Sequence, residues 1–189
     1  IMGVLGVIER LDTVPPPAAL GPDQRLVLLG ATRLELGGSE WSALHRLDGG
    51  AAPTADLDAA RRVHELVSDL VSERAVQGVH DCSDGGVAVA LAEMAITGGC
   101  GFTVTPEAGL APAGWCFAES ASRVLVTVDP GDVAALTQRA ADAGVPAMEL
   151  GTTGGARLTV KGAFDVGLDD ASRAWRDALP RLLGASATA

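Results

Sequence analysis

The chain contains no tyrosine, and only three tryptophans and three phenylalanines in 189 residues. Its core must therefore be built from Val, Leu and Ala, with little aromatic packing. Lysine is almost missing: Lys161 stands alone among arginines, and no G-x-x-x-x-G-K-[ST] pattern occurs, which excludes a P-loop. Basic residues number 14 against 24 acidic ones, for a formal charge of −10. That sign argues against nucleic acid or an anionic membrane as partner, because both require a basic footprint. No apolar run approaches the ~20 residues that span a bilayer. The three cysteines, Cys82, Cys100 and Cys116, are odd in number and lack metal-ligand spacing. With no secretory signal visible, the expectation is a reduced, cytoplasmic protein.

What the chain does have is a 48 % apolar composition over a length sufficient for one well-packed domain. Ile1 precedes Met2 in a strand-like run, residues 1–8, so the chain reads as cut from something longer. Residues 1–11 are expected to be the last strand of a preceding domain, 12–24 a Pro-rich linker carrying Pro15-Pro16-Pro17, 25–183 the main domain and 184–189 a frayed tail. Residues 24–30 read as a buried strand ended by glycine. Residues 32–41 read as a polar loop with Ser39 as an N-cap. Apolar positions from Leu57 to Val71 recur at helical spacing, which predicts an amphipathic helix over 56–75 with His64 on its wet side. His45 is likewise expected in a solvated loop. Further strands are predicted at 101–105, 124–128, 147–150, 156–160 and 164–166, and helices from Val87 to an end at Gly98-Gly99, from Pro130, capped by Asp129, to about Ala143, and over 169–179. Strands and helices alternate, yet the last three strands lack crossover helices. The fold class expected is therefore α+β, a mixed sheet with helices on at least one face.

Chemistry-bearing residues concentrate in His80-Asp81-Cys82-Ser83-Asp84-Gly85-Gly86, where a short apolar run hands over to an almost wholly apolar helix. Ser83 or Asp84 is expected to cap that helix. The glycines would leave its first N–H groups accessible to an oxyanion that the helix dipole favours. Asp81 and Asp84 would repel a bare phosphate, so Mg²⁺ is the natural bridge. The alternative is a capped core helix with nothing bound. A second polar group, Glu119, Ser120 and Ser122, gathers at the entrance to the apolar strand 124–128.

These two strings, His80 to Ala95 and Phe117 to Val128, resemble the C-terminal region of the phosphoribosylformylglycinamidine synthase (PurL) family. Residues 2–8, Leu28–Arg33, Gly37–Trp41 and Leu179–Leu182 support the resemblance, which covers nearly the whole chain. It implies an aminoimidazole ribonucleotide synthetase C-terminal-domain-like fold. It also implies a parent ligase that uses ATP, Mg²⁺ and glutamine-derived ammonia to convert formylglycinamide ribonucleotide to the amidine. Implied partners are the N-terminal remainder of the same enzyme and a glutaminase subunit or domain. The family's catalytic histidine and its Gly-Gly-Asn-x-Ser-type segment have no match here, so no catalytic residue is assigned and the chain alone is expected to be inactive. By analogy between the family's two halves, Asp81 and Asp84 are the candidate Mg²⁺ ligands. Ser83, Gly85, Gly86, Glu119 and Ser120 are the candidate contacts of an auxiliary ATP/ADP corner. Ala121 replaces a glutamine of the family's other half. The other reading that stays open is a non-catalytic scaffold or docking domain of a related ATP-binding complex.

Overall fold

The computed structural model describes residues 3, 5–7, 14–50 and 52–184. Its elements in order are β1 (Arg25–Leu29), α1 (Glu40–Leu44), α2 (Leu57–Ser72), β2 (Gly78–Asp81), α3 (Gly86–Gly98), β3 (Phe102–Val104), α4 (Pro112–Phe117), β4 (Val124–Val128), α5 (Val133–Asp142), β5 (Ala147–Thr153), β6 (Arg157–Val160), β7 (Phe164–Gly167) and α6 (Leu168–Leu182). The strands form one sheet in the order β2-β4-β1-β5-β3-β6-β7. All neighbours are antiparallel except β3 and β6, which run parallel. The expected mixed α+β sheet is what forms.

Why helices cover both faces follows from the period-two alternation of the central strands. On β1, Leu26 and Leu28 enter one core with Leu125, Leu91, Met94 and Trp115. Val27 and Leu29 enter a second core with Val124, Val126, Leu66, Leu70 and Leu136. The first core is roofed by α3 and α4, with Leu168 of α6 joining at its edge. The second is roofed by α2 and α5. β4 is buried at all five positions because β1 and β2 flank it and helices cover both faces. Truncating one such Leu to Ala typically costs about 2–5 kcal/mol.

Some local expectations lie outside the described residues, and others are corrected. The strand over residues 1–8 lies largely outside the described residues, and the described Gly3 and Leu5–Val7 pair with nothing in the sheet. The tail beyond Gly184 also lies outside them. The Pro-rich stretch packs against the domain: Val79 N–H donates to Pro17 O (3.2 Å) and Leu20 N–H to Met94 O (3.0 Å). Leu20 is buried against α3, which helps explain how a helix apolar all round is covered. A Cβ on Gly98 would stand 2.1 Å from Leu20 O, so that crossing requires glycine. Ser39 does cap a helix, α1, with its oxygen accepting from Ser42 N–H, and His45 forms the exposed C-cap of that helix, not a loop position. Trp115–Phe117, for which the sequence pattern predicts no helix, belong to α4, which Pro112 opens.

α5 begins at Val133 and not at Pro130, because Asp129 to Asp132 form a turn closed by Asp132 N–H to Asp129 O (2.9 Å). β5 runs through Gly151-Thr152-Thr153, read as a loop, because β3 and β1 pair it on both sides. The glycine is needed there, since a Cβ would lie 2.1 Å from Thr103 O. α6 continues through Pro180 to Leu182. Near a helix end the missing N–H forfeits one bond, so the break expected of proline is mild.

Candidate functional site

The two polar strings meet at one end of the sheet. β2 delivers His80 and Asp81, and Cys82 N–H extends its ladder by donating to Arg123 O (3.0 Å). A turn closed by Gly86 N–H to Ser83 O (3.0 Å) then starts α3. The N-cap is Gly85, in the left-handed region at φ 78°, with no side-chain cap. Capping by Ser83 or Asp84 is therefore not what forms; the Ser83 hydroxyl instead donates to the Asp81 carboxylate. The glycine pair answers to packing. A Cβ on Gly86 would lie 2.4 Å from Ala118 O and 2.9 Å from Cys116 O, and one on Gly85 2.4 Å from Val89. Only glycine lets the start of α3 sit against the end of α4.

Opposite that turn stands Glu119. Its Oε1 accepts from Gly85 N–H (2.8 Å) and from Glu40 N–H (2.9 Å), joining the starts of α3 and α1. The anionic position that α3 offers at Gly85 is thus taken by the chain's own carboxylate. Ser120 is fully buried. Its Oγ accepts from Arg33 N–H (3.0 Å) and donates to Arg33 O (3.1 Å), pinning the segment that leaves β1. Arg123 is 2 % exposed. It donates to Ser120 O (3.0 Å), to Thr32 Oγ1 (3.1 Å) and to Ala118 O. Burial lowers its pKa, but a guanidinium keeps its proton in proteins, so the charge is met by these oxygens. Ser122 takes φ 60°, and a Cβ on Gly30 would stand 2.2 Å from Ser122 O. Gly30 is thus the residue that lets β1 leave the sheet beside the strand entrance.

Asp81, Ser83 and Asp84 all face solvent. His80 lies between Asp81 O (Nδ1, 2.6 Å) and Glu93 Oε2 (Nε2, 3.3 Å), which fixes its ring. Burial pushes the Cys82 thiol up to about 12 and the Cys116 thiol to about 11, so neither is a nucleophile near neutral pH. Among the described residues no group of three or more His, Cys, Asp or Glu is placed to hold a metal. Two carboxylates still suit Mg²⁺, which keeps several waters and commonly takes one or two protein carboxylates plus phosphate oxygens. The structure therefore brings Asp81, Ser83, Asp84, Gly85, Gly86 and Glu119 into one corner, while Ser120 points away into the core as a clamp on Arg33. Sequence reasoning assigned no role to Arg123 and saw at the start of α1 only the Ser39 cap. A charged residue at the mouth of an otherwise apolar strand was the available signal for the former; nothing in the sequence marked the latter as a partner of Glu119.

A mixed sheet roofed on both faces, with an acid-and-glycine turn set against a Glu-Ser strand entrance, defines an α+β domain. The chain belongs to the family described as AIR synthase related protein, C-terminal domain, which it matches over residues 21–162. It is 42 % identical over 186 residues to the phosphoribosylformylglycinamidine synthase subunit PurL of Nocardioides sp., an alignment covering 97 % of this chain and 24 % of that protein. The chain thus spans about a quarter of the length of the curated relatives it matches. Its fold is similar to Thermotoga maritima PurL complexed with FGAR (TM-score 0.71, 20 % identity, 84 % of this chain and 29 % of that one). The same holds for T. maritima PurL complexed with ATP (TM-score 0.65, 19 % identity, 85 % and 27 % of the two chains).

Proposed function

We propose that this chain is the second B domain of a phosphoribosylformylglycinamidine synthase large subunit. It would serve an enzyme that converts formylglycinamide ribonucleotide, ATP and ammonia to the amidine, ADP and phosphate. The observation that carries the reading is 42 % identity to a PurL subunit over 97 % of the chain, although the chain accounts for only 24 % of that subunit. The partners are the remaining three quarters of the polypeptide and a glutaminase that supplies ammonia. The relatives' description as a subunit supports a larger assembly. The domain's part is positional: it supplies a rigid sheet end and an auxiliary corner, while bond-making groups reside elsewhere in the protein.

In that corner Asp81 and Asp84 would hold Mg²⁺, whose chemistry is to neutralise polyphosphate charge and orient it. The chain's own groups define the rest. The Ser83 hydroxyl orients the Asp81 carboxylate, Gly86 lets the turn sit against the end of α4, and Gly85 leaves room for the Val89 side chain. Glu119 occupies the Gly85 amide, so an ADP or ATP phosphate approaches through the metal and not through that N–H. Ser120 contributes by fixing the loop from which the wall is built. Calorimetry of Mg-ADP with the chain tests the corner. Asp81→Asn is expected to weaken Mg²⁺-dependent binding at least about tenfold, or about 1.4 kcal/mol. Equal binding by both proteins, or none by either, removes the assigned role.

A further inference from the structure

A second concavity opens at the same end of the sheet but on the other face, beneath α2 and the α5–β5 connection. It encloses about 210 Å³ between Gly30, Arg33, Asp56, Arg62, Ala121 and Gly144. We propose that this groove binds a phosphate-sized oxyanion between the guanidinium groups of Arg33 and Arg62. The site lies apart from the Asp81 corner and does not depend on it.

Charge is the first argument. In a chain of formal charge −10, cations gather where they are held. Arg25, Arg61, Arg139, Arg157, Arg173 and Arg181 each form an ion pair with a carboxylate. Among the described residues Arg33 and Arg62, like Arg46, Arg176 and Lys161, form no close ion pair, and the two line one groove in which Asp56 is the carboxylate that feels both. Two arginines on the wall of one concave surface suit phosphate, which arginine recognises through its planar fork.

Preorganisation is the second. The Arg33 backbone is gripped on both its N–H and its carbonyl by the fully buried Ser120, and the neighbouring Thr32 by the buried Arg123. The Arg33 side chain therefore departs from a fixed point. Arg62 runs along Gly144, where an added Cβ would lie 3.6 Å from its Cδ, so the stem is guided by the end of α5. Gly30, Ala31 and Ala121 offer small side chains on the floor, leaving room for a ligand. One opposing charge is present. Asp56 caps α2, accepting from the N–H groups of Asp58 and Ala59 (both 3.0 Å), and the Ala59 bond foremost holds its carboxyl below the usual range. The groove thus carries two cations and one engaged anion, which suits a dianion held with modest affinity.

The test is an NMR titration of the 189-residue chain with inorganic phosphate at constant ionic strength, so that non-specific screening is held fixed. Saturable shifts are expected at the amides of Ala31, Arg33, Thr54 and Gly144. Arg33→Gln and Arg62→Gln should each weaken binding at least about tenfold, whereas Arg173→Gln, on the distant α6, should not. Asp56→Asn, which keeps a capping side chain, should tighten it. A parallel titration with glycerol 3-phosphate identifies the source of the oxyanion: tighter binding marks a phosphomonoester, equal binding free phosphate. Shifts that fail to saturate, or that are the same in the arginine variants, overturn the proposal. None of these variants touches Asp81 or Glu119, so failure here is distinguishable from failure of the nucleotide corner.

Discussion

Replacing Arg123 by methionine removes the charge that ties together the strand entrance, the end of α4 and the segment after β1. In the folded chain its guanidinium serves Ala118 O, Ser120 O and Thr32 Oγ1 while only 2 % of the residue is exposed. Ala118 and Ser120 are fully buried, so water has little access to their carbonyls once the donor is gone. A buried acceptor left unpaired costs about 1–3 kcal/mol. Two such acceptors cost about 2–6 kcal/mol together, and what the methionine stem recovers by burial brings the loss to about 1–4 kcal/mol. Against the 5–15 kcal/mol total typical of a domain, that is a large fraction. Urea unfolding followed by far-UV circular dichroism reads it directly, and the thermal midpoint should fall by roughly 2–4 °C per kcal/mol for a chain of this size. Arg123→Lys keeps the charge but cannot span three acceptors, and should fall between. Arg173→Met, at an exposed pair with Asp170, should leave the midpoint where it was. An Arg123→Met protein within about 1 kcal/mol of the parent would refute the clamp.

Other consequences follow from neighbouring contacts. Gly86→Ala forces a Cβ to 2.4 Å from Ala118 O at φ 67°, whereas Gly99→Ala, at φ 62°, meets nothing within 4 Å. Differential unfolding should show the first costing more than about 2 kcal/mol and the second about 1 kcal/mol. Glu119→Ala strips the acceptor from Gly85 and Glu40 N–H, for a loss of about 1–3 kcal/mol, while Glu119→Gln, which keeps an oxygen there, should lose less. The thiols make stability fall in alkali. Their pKa values rise on folding, from 9.0 to about 12 at Cys82 and about 11 at Cys116. Below pH 9 both states are protonated and the thiols contribute nothing to the pH dependence. As the pH climbs from there toward the folded values, the unfolded chain ionises first and unfolding is favoured. A Cys82→Ala, Cys116→Ala protein should show a flatter loss of its urea midpoint between about pH 8 and pH 10.5; an unchanged slope would count against burial as the cause.

What could be read in the sequence was whatever depends on local periodicity or on a local backbone requirement. The short apolar run ended by glycine in residues 24–30 and the unbroken apolar run 124–128 marked the central strands, because each such position meets a covered face. The helical spacing from Leu57 to Val71 marked α2 for the same reason. Tertiary partners decided the rest. Gly151-Thr152-Thr153 looks like a turn until β3 and β1 pair it on both sides. Trp115 to Phe117 show no helical pattern in the sequence, and their burial against α3 makes a helix the better packing.

The corner shows the same division. Its acids and glycines were visible as a string, and the glycines were assigned to phosphate approach. The structure shows each serving the contact between α3, Val89 and the end of α4. That Glu119 reaches back 34 residues to Gly85 could not be read from spacing, since it depends on β2 and β4 lying side by side. Ser120, expected at the nucleotide, is oriented by its burial toward Arg33.

The most direct test of the account is ATP-dependent amidine formation from formylglycinamide ribonucleotide and ammonia, measured with the 189-residue chain alone and with the full-length protein proposed to contain it. The account predicts turnover by the full-length protein and none by the chain. Steady turnover by the isolated chain, or a full-length protein inert toward this substrate, would contradict it.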